Sequence, residues 1–466
     1  MRKTCIIDAD PNILETHHVE TVVNLDCEDF KGRVEALQQR MKQDRLDYVV
    51  IYGDREHFAN LYFFTGFDPR FEESLLIGGA TQEMPFLVVG NECWDYSNIS
   101  PLPLMRVLYQ NFSLQGQPRD QIQPLERIFE LAGIRQGSRV GVVGMKYYDA
   151  CHICDHEHVI DIPAYILHSL EQVTQFPAIN YAAALTGFPD GLRMRNSAKQ
   201  IAIYESAANE SSNRLIRMIS ALKVGVTELE VSAAAQFDGR PLCVYPNINF
   251  GQEHVTAGLR SPDGTRLAEG MPVMLCTALR GSLVCRSGLA ITEQNLALYR
   301  EQMETFYQPF FEAVVYWIEH VRIGACAGDI FENVHRIFDT YGIQPALNPG
   351  HSIAEDEWTN SMFFRGSQYR LDSGMYLQSD IIAKGGTSGE LTGIFEDGYV
   401  LADETLRMEL AQQYPQVWER ICKRRRYIQD VIGLHIGEDL LPMSNTCGVY
   451  FPFYLDNTRV FALREV

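Results

Sequence analysis

A chain of 466 residues can supply two or three domains with at least one sizeable core, and 46% hydrophobic with 21% charged residues is the balance of a folded protein rather than a disordered one. Forty Lys and Arg against sixty Asp and Glu leave a formal net charge of -20, a field that repels phosphate backbones and anionic lipid, so nucleic acid and membrane surfaces are disfavoured as partners. Eleven cysteines, an odd number at mostly unrelated spacings, read as reduced thiols and point to the cytoplasm.

The start, Met1-Arg-Lys-Thr-Cys-Ile-Ile-Asp-Ala-Asp-Pro11, turns acidic before any apolar run of signal-peptide length develops, so secretion is not expected. No stretch of about eighteen uninterrupted apolar residues follows, and no membrane span is expected. From about Glu28 to Leu46 the apolar positions Phe30, Val34, Leu37 and Met41 fall at helical spacing, and Asp47-Tyr-Val-Val-Ile-Tyr-Gly53 reads as a buried strand. Strand-like runs at Ser74 to Gly78, Pro85 to Val89 and Ser138 to Val143 alternate with helical stretches at Gln123 to Ala132 and Pro163 to Val173. An α/β domain over 1–187 is the expectation. The chain breakers Gly187-Phe-Pro-Asp-Gly191 close it, and Ser197 then caps a long helix with Ile201, Tyr204, Ala208, Leu215 and Met218 on its apolar face.

Thr227-Glu-Leu-Glu230 is a capping box, which starts the next helix. Leu222-Lys-Val-Gly-Val-Thr-Glu-Leu-Glu-Val231 nearly recurs as Val321-Arg-Ile-Gly-Ala-Cys-Ala-Gly-Asp-Ile330, which a duplicated unit in a pseudo-symmetric domain over 192–430 would produce; chance also produces short matches. The basic run Lys423-Arg-Arg-Arg426 reads as a solvated helix face or a salt-bridge partner. A C-terminal extension over 431–466 remains, in which the tail from Leu440 to Val460 carries Pro442 and Pro452 and suits an edge strand or an extended cover.

Four stretches read together carry a resemblance: Asn60-Leu-Tyr-Phe-Phe-Thr-Gly-Phe67, Leu192-Arg-Met-Arg-Asn-Ser-Ala-Lys-Gln-Ile201, Pro349-Gly-His-Ser-Ile353 and Gly393-Ile-Phe-Glu-Asp-Gly-Tyr-Val-Leu401. In order and spacing the chain resembles the pita-bread family of creatinase and aminopeptidase P over nearly its whole length. The resemblance implies a creatinase-like α/β N-terminal domain, an α+β pita-bread C-terminal domain with pseudo-two-fold symmetry, a small-molecule substrate and a homodimer.

In the family's metallopeptidases two metal ions are held by two Asp, one His and two Glu, hard donors that bridge two cations and activate a water between them. The match is incomplete here. The first Asp falls near Met274-Leu-Cys-Thr-Ala278, where Cys276 or Thr277 stands, and the second near Cys285-Arg286-Ser287, where there is no carboxylate. The His matches His351, the first Glu matches Asp380 and the last matches Glu396. Two further family histidines fall near Gly258 and Trp358; His254, four residues before Gly258, substitutes only if the loop from Gly251 to Arg260 is rebuilt. Creatinase-like members work without a metal by using a histidine as acid and base. Thus no cofactor is expected, and His351, Asp380 and Glu396 are relics hydrogen-bonded in a polar cavity; the sharper alternative is a single divalent metal, zinc or manganese, held by His351, Asp380, Glu396 and Cys276.

Two other places stand out. Cys151-His-Ile-Cys-Asp-His-Glu-His158 packs two thiols and three imidazoles into eight residues and reads either as a metal-binding tract or as a polar loop entering a helix. Arg55 and Arg70 flank the Asn60 to Phe67 motif and read as a substrate carboxylate clamp or as surface charge. No Walker loop, dinucleotide Gly motif or Gly-x-Ser-x-Gly elbow is present. Two function classes remain: a diverged hydrolase-like enzyme of the creatinase type acting on a small amine- or amino-acid-like substrate, and a catalytically inactive relative with a binding or assembly role. Whether Trp358 and Arg286 plug the cleft discriminates between them.

Overall fold

The computed structural model describes residues 2–9, 23–386 and 389–465; the start at Met1 and the approach to Pro11 lie outside the described residues. The chain divides into two compact units, one made of 25–194 and the other of 1–24 with 195–466. The first strand, β1 (Arg2–Asp8), belongs to the second of these.

The unit 25–194 is an α/β sheet buried on both faces. Asp26 opens its first helix, Cys27–Asp44, as a capping box with Asp29, and Arg45 ends it in the left-handed conformation. The sheet contains β2 (Tyr48–Gly53), β3 (Ser74–Gly79), β4 (Phe86–Val89), β5 (Met105–Leu108), β6 (Val140–Val143) and β7 (Ile179–Asn180), in the order β5-β4-β3-β2-β6-β7. β2 runs parallel to β6 and antiparallel to β3. Along β2 the side chains alternate between two cores: Val50 and Tyr52 meet Ile77, Ile128 and Leu170, while Val49 and Ile51 meet Met41, Phe64 and Leu76. This two-sided burial explains why Tyr48 to Gly53 reads as an unbroken apolar run.

The second unit is built on an eight-stranded antiparallel sheet. Its strands are β8 (Asn247–Phe250), β9 (Pro272–Leu279), β10 (Ser282–Leu289), β11 (Gln344–Pro345), β12 (His351–Ser352), β13 (Tyr376–Gly385), β14 (Leu391–Leu401) and β15 (Leu440–Pro442). The main path is β11-β13-β14-β10-β9-β8, with β12 on β13 and β15 on β14. Arg280 and Gly281 turn β9 into β10; Gly281 has φ +90°, and a Cβ there would come within 2.5 Å of Tyr204. Tyr204 lies on the helix Ala198–Ser220, which Ser197 and Gln200 open as a capping box. The Thr227 and Glu230 box likewise opens the helix Glu228–Ala234.

The near-repeat has a structural counterpart. Gly225 N–H donates to Leu267 O at 2.8 Å, and Gly324 N–H to Leu371 O at 2.8 Å. Arg266 Nη1 donates to Gly225 O at 2.7 Å, and Arg370 Nη1 to Gly324 O at 2.8 Å. Each segment is thus clipped to a later strand-like segment by the same bonds, just before a helix begins at Glu228 or Ala327.

Two sequence readings are redrawn. β1 pairs antiparallel with β16 (Arg459–Glu465), Arg2 opposite Glu465, so the first residues join the 195–466 unit rather than an N-terminal domain over 1–187, and 431–466 is part of that unit's body. Strand pairing across some 450 residues leaves no local trace in sequence. Of the basic run, Arg424 is fully buried, bonded to Glu205, Asn209 and Asn445, while Arg425 caps Gly437 O and Leu440 O. Glu205 is itself buried and also takes Arg420, so Arg424 joins an internal ion-pair network, while Lys423 and Arg426 remain exposed as a solvated face.

Candidate functional site

In an antiparallel sheet, residues directly opposite one another present side chains to the same face. Register therefore aligns Asn247 on β8, Cys276 on β9, Cys285 on β10, Glu396 on β14 and Asp380 on β13 in a single row. Cys276 and Cys285 stand directly opposite each other across β9 and β10. His351 enters from β12, beside Gln378 of β13. Gly350 precedes it with φ +150°, and a Cβ there would stand 2.8 Å from Gln378 O, which explains the Pro-Gly-His order. All five chemistry-bearing groups are buried: exposure is 0% for His351 and Cys285, 3% for Asp380 and Cys276, and 8% for Glu396.

His351 Nδ1 lies 3.2 Å from Ser352 O, which orients the ring. Its Nε2 is 3.2 Å from Glu357 Oε1 and 3.8 Å from Asp380 Oδ2, within ion-pair distance but outside hydrogen-bond geometry. Burial opposes the imidazolium, yet the Glu357 and Asp380 carboxylates outweigh it and hold the His351 pKa above its ordinary value. Burial pushes the Asp380 carboxyl up to about 6 against the pull of His351. Burial, followed by Asp380, Cys276 and Glu357, raises Glu396 well above the carboxylate range. Among the described residues, Asp380 Oδ1 has no hydrogen-bond partner.

The two potential plugs behave differently. Trp358 stacks on the His351 ring, centroids 4.1 Å apart and planes 22° apart, so it covers the imidazole. Arg286, next to Cys285, points to the opposite face of the sheet, where it bonds Val449 O, Cys285 O, Glu396 O, Thr446 O and the Asp397 carboxylate and lies 3.6 Å from the Phe395 ring centre. Arg286 is a pillar behind the row and not a plug in it.

Glu357 and the thiol of Cys285 were not singled out as site groups in the sequence. Glu357 adjoins Trp358, where the resemblance implies a histidine, and Cys285 stands where it implies an aspartate. Only β9–β10–β14 register shows that Cys285 faces Cys276 and Glu396. His254 lies on the helix Gln252–Ala257, with Nδ1 2.9 Å from Glu228 Oε1, and Glu228 also accepts from Phe250 N and Asp263 N. Gly258 has no side chain to offer; its carbonyl accepts from Asn249 Nδ2 at 2.9 Å and its N–H donates to His254 O at 2.9 Å.

In the unit 25–194, Arg55 is 61% exposed and 3.5 Å from Glu56. Arg70 donates to Tyr96 Oη at 3.1 Å and lies 3.4 Å from Asp68. The Cys151 to His158 tract is a loop with a single 3-10 turn, His156–His158.

The five-donor set expected of a dinuclear centre does not fit these residues. Where the resemblance implies two hard carboxylates, the row carries the thiols of Cys276 and Cys285. Among the described residues, the three-donor sets whose ligand atoms lie within 4.8 Å of one another are Asp149 with Cys151 and His152, and Glu228 with His254 and Asp263; His351, Asp380, Glu396 and Cys276 form no such set. The same holds for a single metal on those four residues as they are now placed.

No protein-family model matches the sequence, and no curated protein sequence matches it. Solved structures do match. The prolidase from Pyrococcus horikoshii is 16% identical with a TM-score of 0.62, covering 80% of this chain and 95% of its own. Dipeptidase PepE from Mycobacterium ulcerans is 16% identical with a TM-score of 0.60, covering 81% and 95%. A variant of Escherichia coli aminopeptidase P in complex with substrate is 13% identical with a TM-score of 0.57, covering 86% and 100%. The chain has the pita-bread fold of these peptidases, as the four motifs implied. Among the described residues, no helix is long and apolar enough to cross a membrane.

Proposed function

We propose that this pita-bread protein does not hydrolyse peptides through a dinuclear metal centre and keeps its site for binding a small, cationic, amine- or amino-acid-like molecule. The observation that carries this reading is the row itself: two thiols, Cys276 and Cys285, stand in register with Glu396 and Asp380 where two hard carboxylates would be needed. Asp380, Glu396 and Glu357 gather acidic oxygen around a buried imidazole, and among the described residues Asp380 Oδ1 is left without a partner, which favours a ligand that brings hydrogen-bond donors and positive charge. Loss of several catalytic parts together leaves little residual rate.

A second reading, a metal-free hydrolase, draws on His351. Its raised pKa and its two flanking carboxylates suit an acid and base, although the Trp358 ring lies against it. By resemblance to the same family the protein acts as a homodimer, and its odd, scattered cysteines suit the reducing cytoplasm; light scattering and fractionation test these.

The deciding experiment incubates the protein with Xaa-Pro dipeptides and added manganese, cobalt or zinc, and in parallel measures thermal shifts with amines and amino acids. Absence of turnover together with a ligand shift that His351→Ala abolishes is the expected result. Chelator-sensitive release of an N-terminal residue, lost on Glu396→Ala, would overturn it.

A further inference from the structure

Strand β6 ends at Val143 and the next long helix begins at Ala164, so the Cys-His-Ile-Cys-Asp-His-Glu-His tract is carried on the connection between them. Asp149 O accepts the N–H groups of His152 and Ile153 at 3.0 and 3.1 Å, which closes a tight turn around Cys151. The turn brings Cys151 Sγ to 3.2 Å from His152 Nδ1. The Asp149 carboxylate joins them, and the three donor atoms lie within 4.8 Å of one another on exposed side chains. A cysteine–histidine hydrogen bond alone would account for two of these groups; it gives no reason for the carboxylate to converge on them.

The second convergent set serves as an internal comparison. There Glu228 already accepts from Phe250 N, Asp263 N and His254, so its convergence is satisfied within the protein and calls for no ion. Among the described residues, no hydrogen bond to the Asp149 carboxylate accompanies the loop set. A tetrahedral zinc ion with bonds of about 2.0–2.3 Å holds its donors roughly 3.3–3.8 Å apart; the Cys151 and His152 donors stand 3.2 Å apart and the whole loop set lies within 4.8 Å.

We propose that Asp149, Cys151 and His152 form a surface site for one divalent cation of the zinc class. A thiolate, an imidazole and a carboxylate suit this borderline-soft cation and disfavour magnesium or calcium. Cys154 lies outside the convergent set, so water completes the coordination. On binding, the Cys151 S–H bond breaks, its proton leaves to solvent and an S–Zn bond forms; the thiolate and the carboxylate balance the cation's two charges. The site lies within the 25–194 unit and shares no residue with the Cys276 to Asp380 row.

The test uses the full chain, stripped with chelator and titrated with zinc and then cobalt. One equivalent of zinc with a dissociation constant at or below about 1 μM is expected, as is a near-ultraviolet thiolate-to-cobalt absorption. Losing a partner that merely orients a ligand costs about 10–100-fold in metal affinity, so Cys151→Ser should weaken zinc binding by at least the upper figure and remove the absorption. His152→Ala should weaken it as well, and Cys276→Ser should leave both readouts in place. The loop is exposed, so circular dichroism should be unchanged in Cys151→Ser and His152→Ala. Absence of the cobalt absorption, its survival in Cys151→Ser, or its loss in Cys276→Ser would overturn the proposal.

Discussion

Cys276 and Cys285 face each other across β9 and β10 on the same side of the sheet as Glu396 and Asp380, and both thiols are buried. Burial and the neighbouring Cys276 side chain raise the Cys285 pKa well above that of a free thiol, which withholds the thiolate that alkylating reagents need. In chelator-treated native protein, Cys151 and Cys154, both exposed, should therefore react with a maleimide at least roughly tenfold faster than Cys276 or Cys285. Peptide mass mapping of a labelling time course reads this out. Early label on Cys285 would mean that the row opens to solvent.

Behind that row, Arg286 and Asp397 are both fully buried, and Asp397 also accepts from Ser444 and Thr446. Removing one partner strands the other charge in the interior, so Arg286→Ala or Asp397→Ala should each cost about 3–5 kcal/mol. Replacing both with apolar residues of similar volume should cost clearly less, because no charge is then left unpaired. Urea unfolding of the two single variants and of Arg286→Met with Asp397→Leu measures the difference. Equal losses in the single and double variants would contradict the buried-pair account.

Two histidines should titrate on opposite sides of the ordinary value of 6.5. The Asp54 side chain holds the His57 imidazolium, Nδ1 to Oδ2 at 3.1 Å, and raises its pKa despite partial burial. This contribution is complete below 6.5 and is lost as pH rises through the higher folded value. Asp54, which burial alone would raise, is brought down to about 2 by the His57 side chain and backbone bonds, so its share is present above the unfolded carboxylate value and lost as pH falls through about 2. His335, stacked on Phe331 and lowered by burial, resists protonation in the folded state, so it makes the protein less stable as pH falls through 6.5. Proton NMR titration of the two rings should order them His57 above His335; the reverse order would refute both assignments.

The clips Arg266–Gly225 and Arg370–Gly324 repeat one hydrogen-bond pattern in two different loops. Each Arg→Ala change should cost about 0.5–1.5 kcal/mol, the net worth of one such bond. With separate partners, the two losses should add. Denaturant melts of both single variants and the double variant check this, and a double variant no worse than either single would show that the repeat is not held by these side chains.

Much of the architecture was written locally. The Thr227–Glu230 box and the cap at Ser197 are contacts within a few residues, and β2 reads as a strand because both its faces are buried. The four motifs pointed to the pita-bread fold, and the resemblance they carry implied His351, Asp380 and Glu396 as site residues. What only the tertiary structure decided depends on register and on distant partners. Cys285 gains its neighbours because β10 lies between β9 and β14, and a one-residue slip would turn it to the other face and bring Arg286 into the row. Arg424 reads as surface charge until the helix Pro415–Arg426 is packed on Glu205, Asn209 and Asn445. Periodicity records which way a side chain points relative to its own backbone; which distant group it then meets is fixed only when the sheet closes around it.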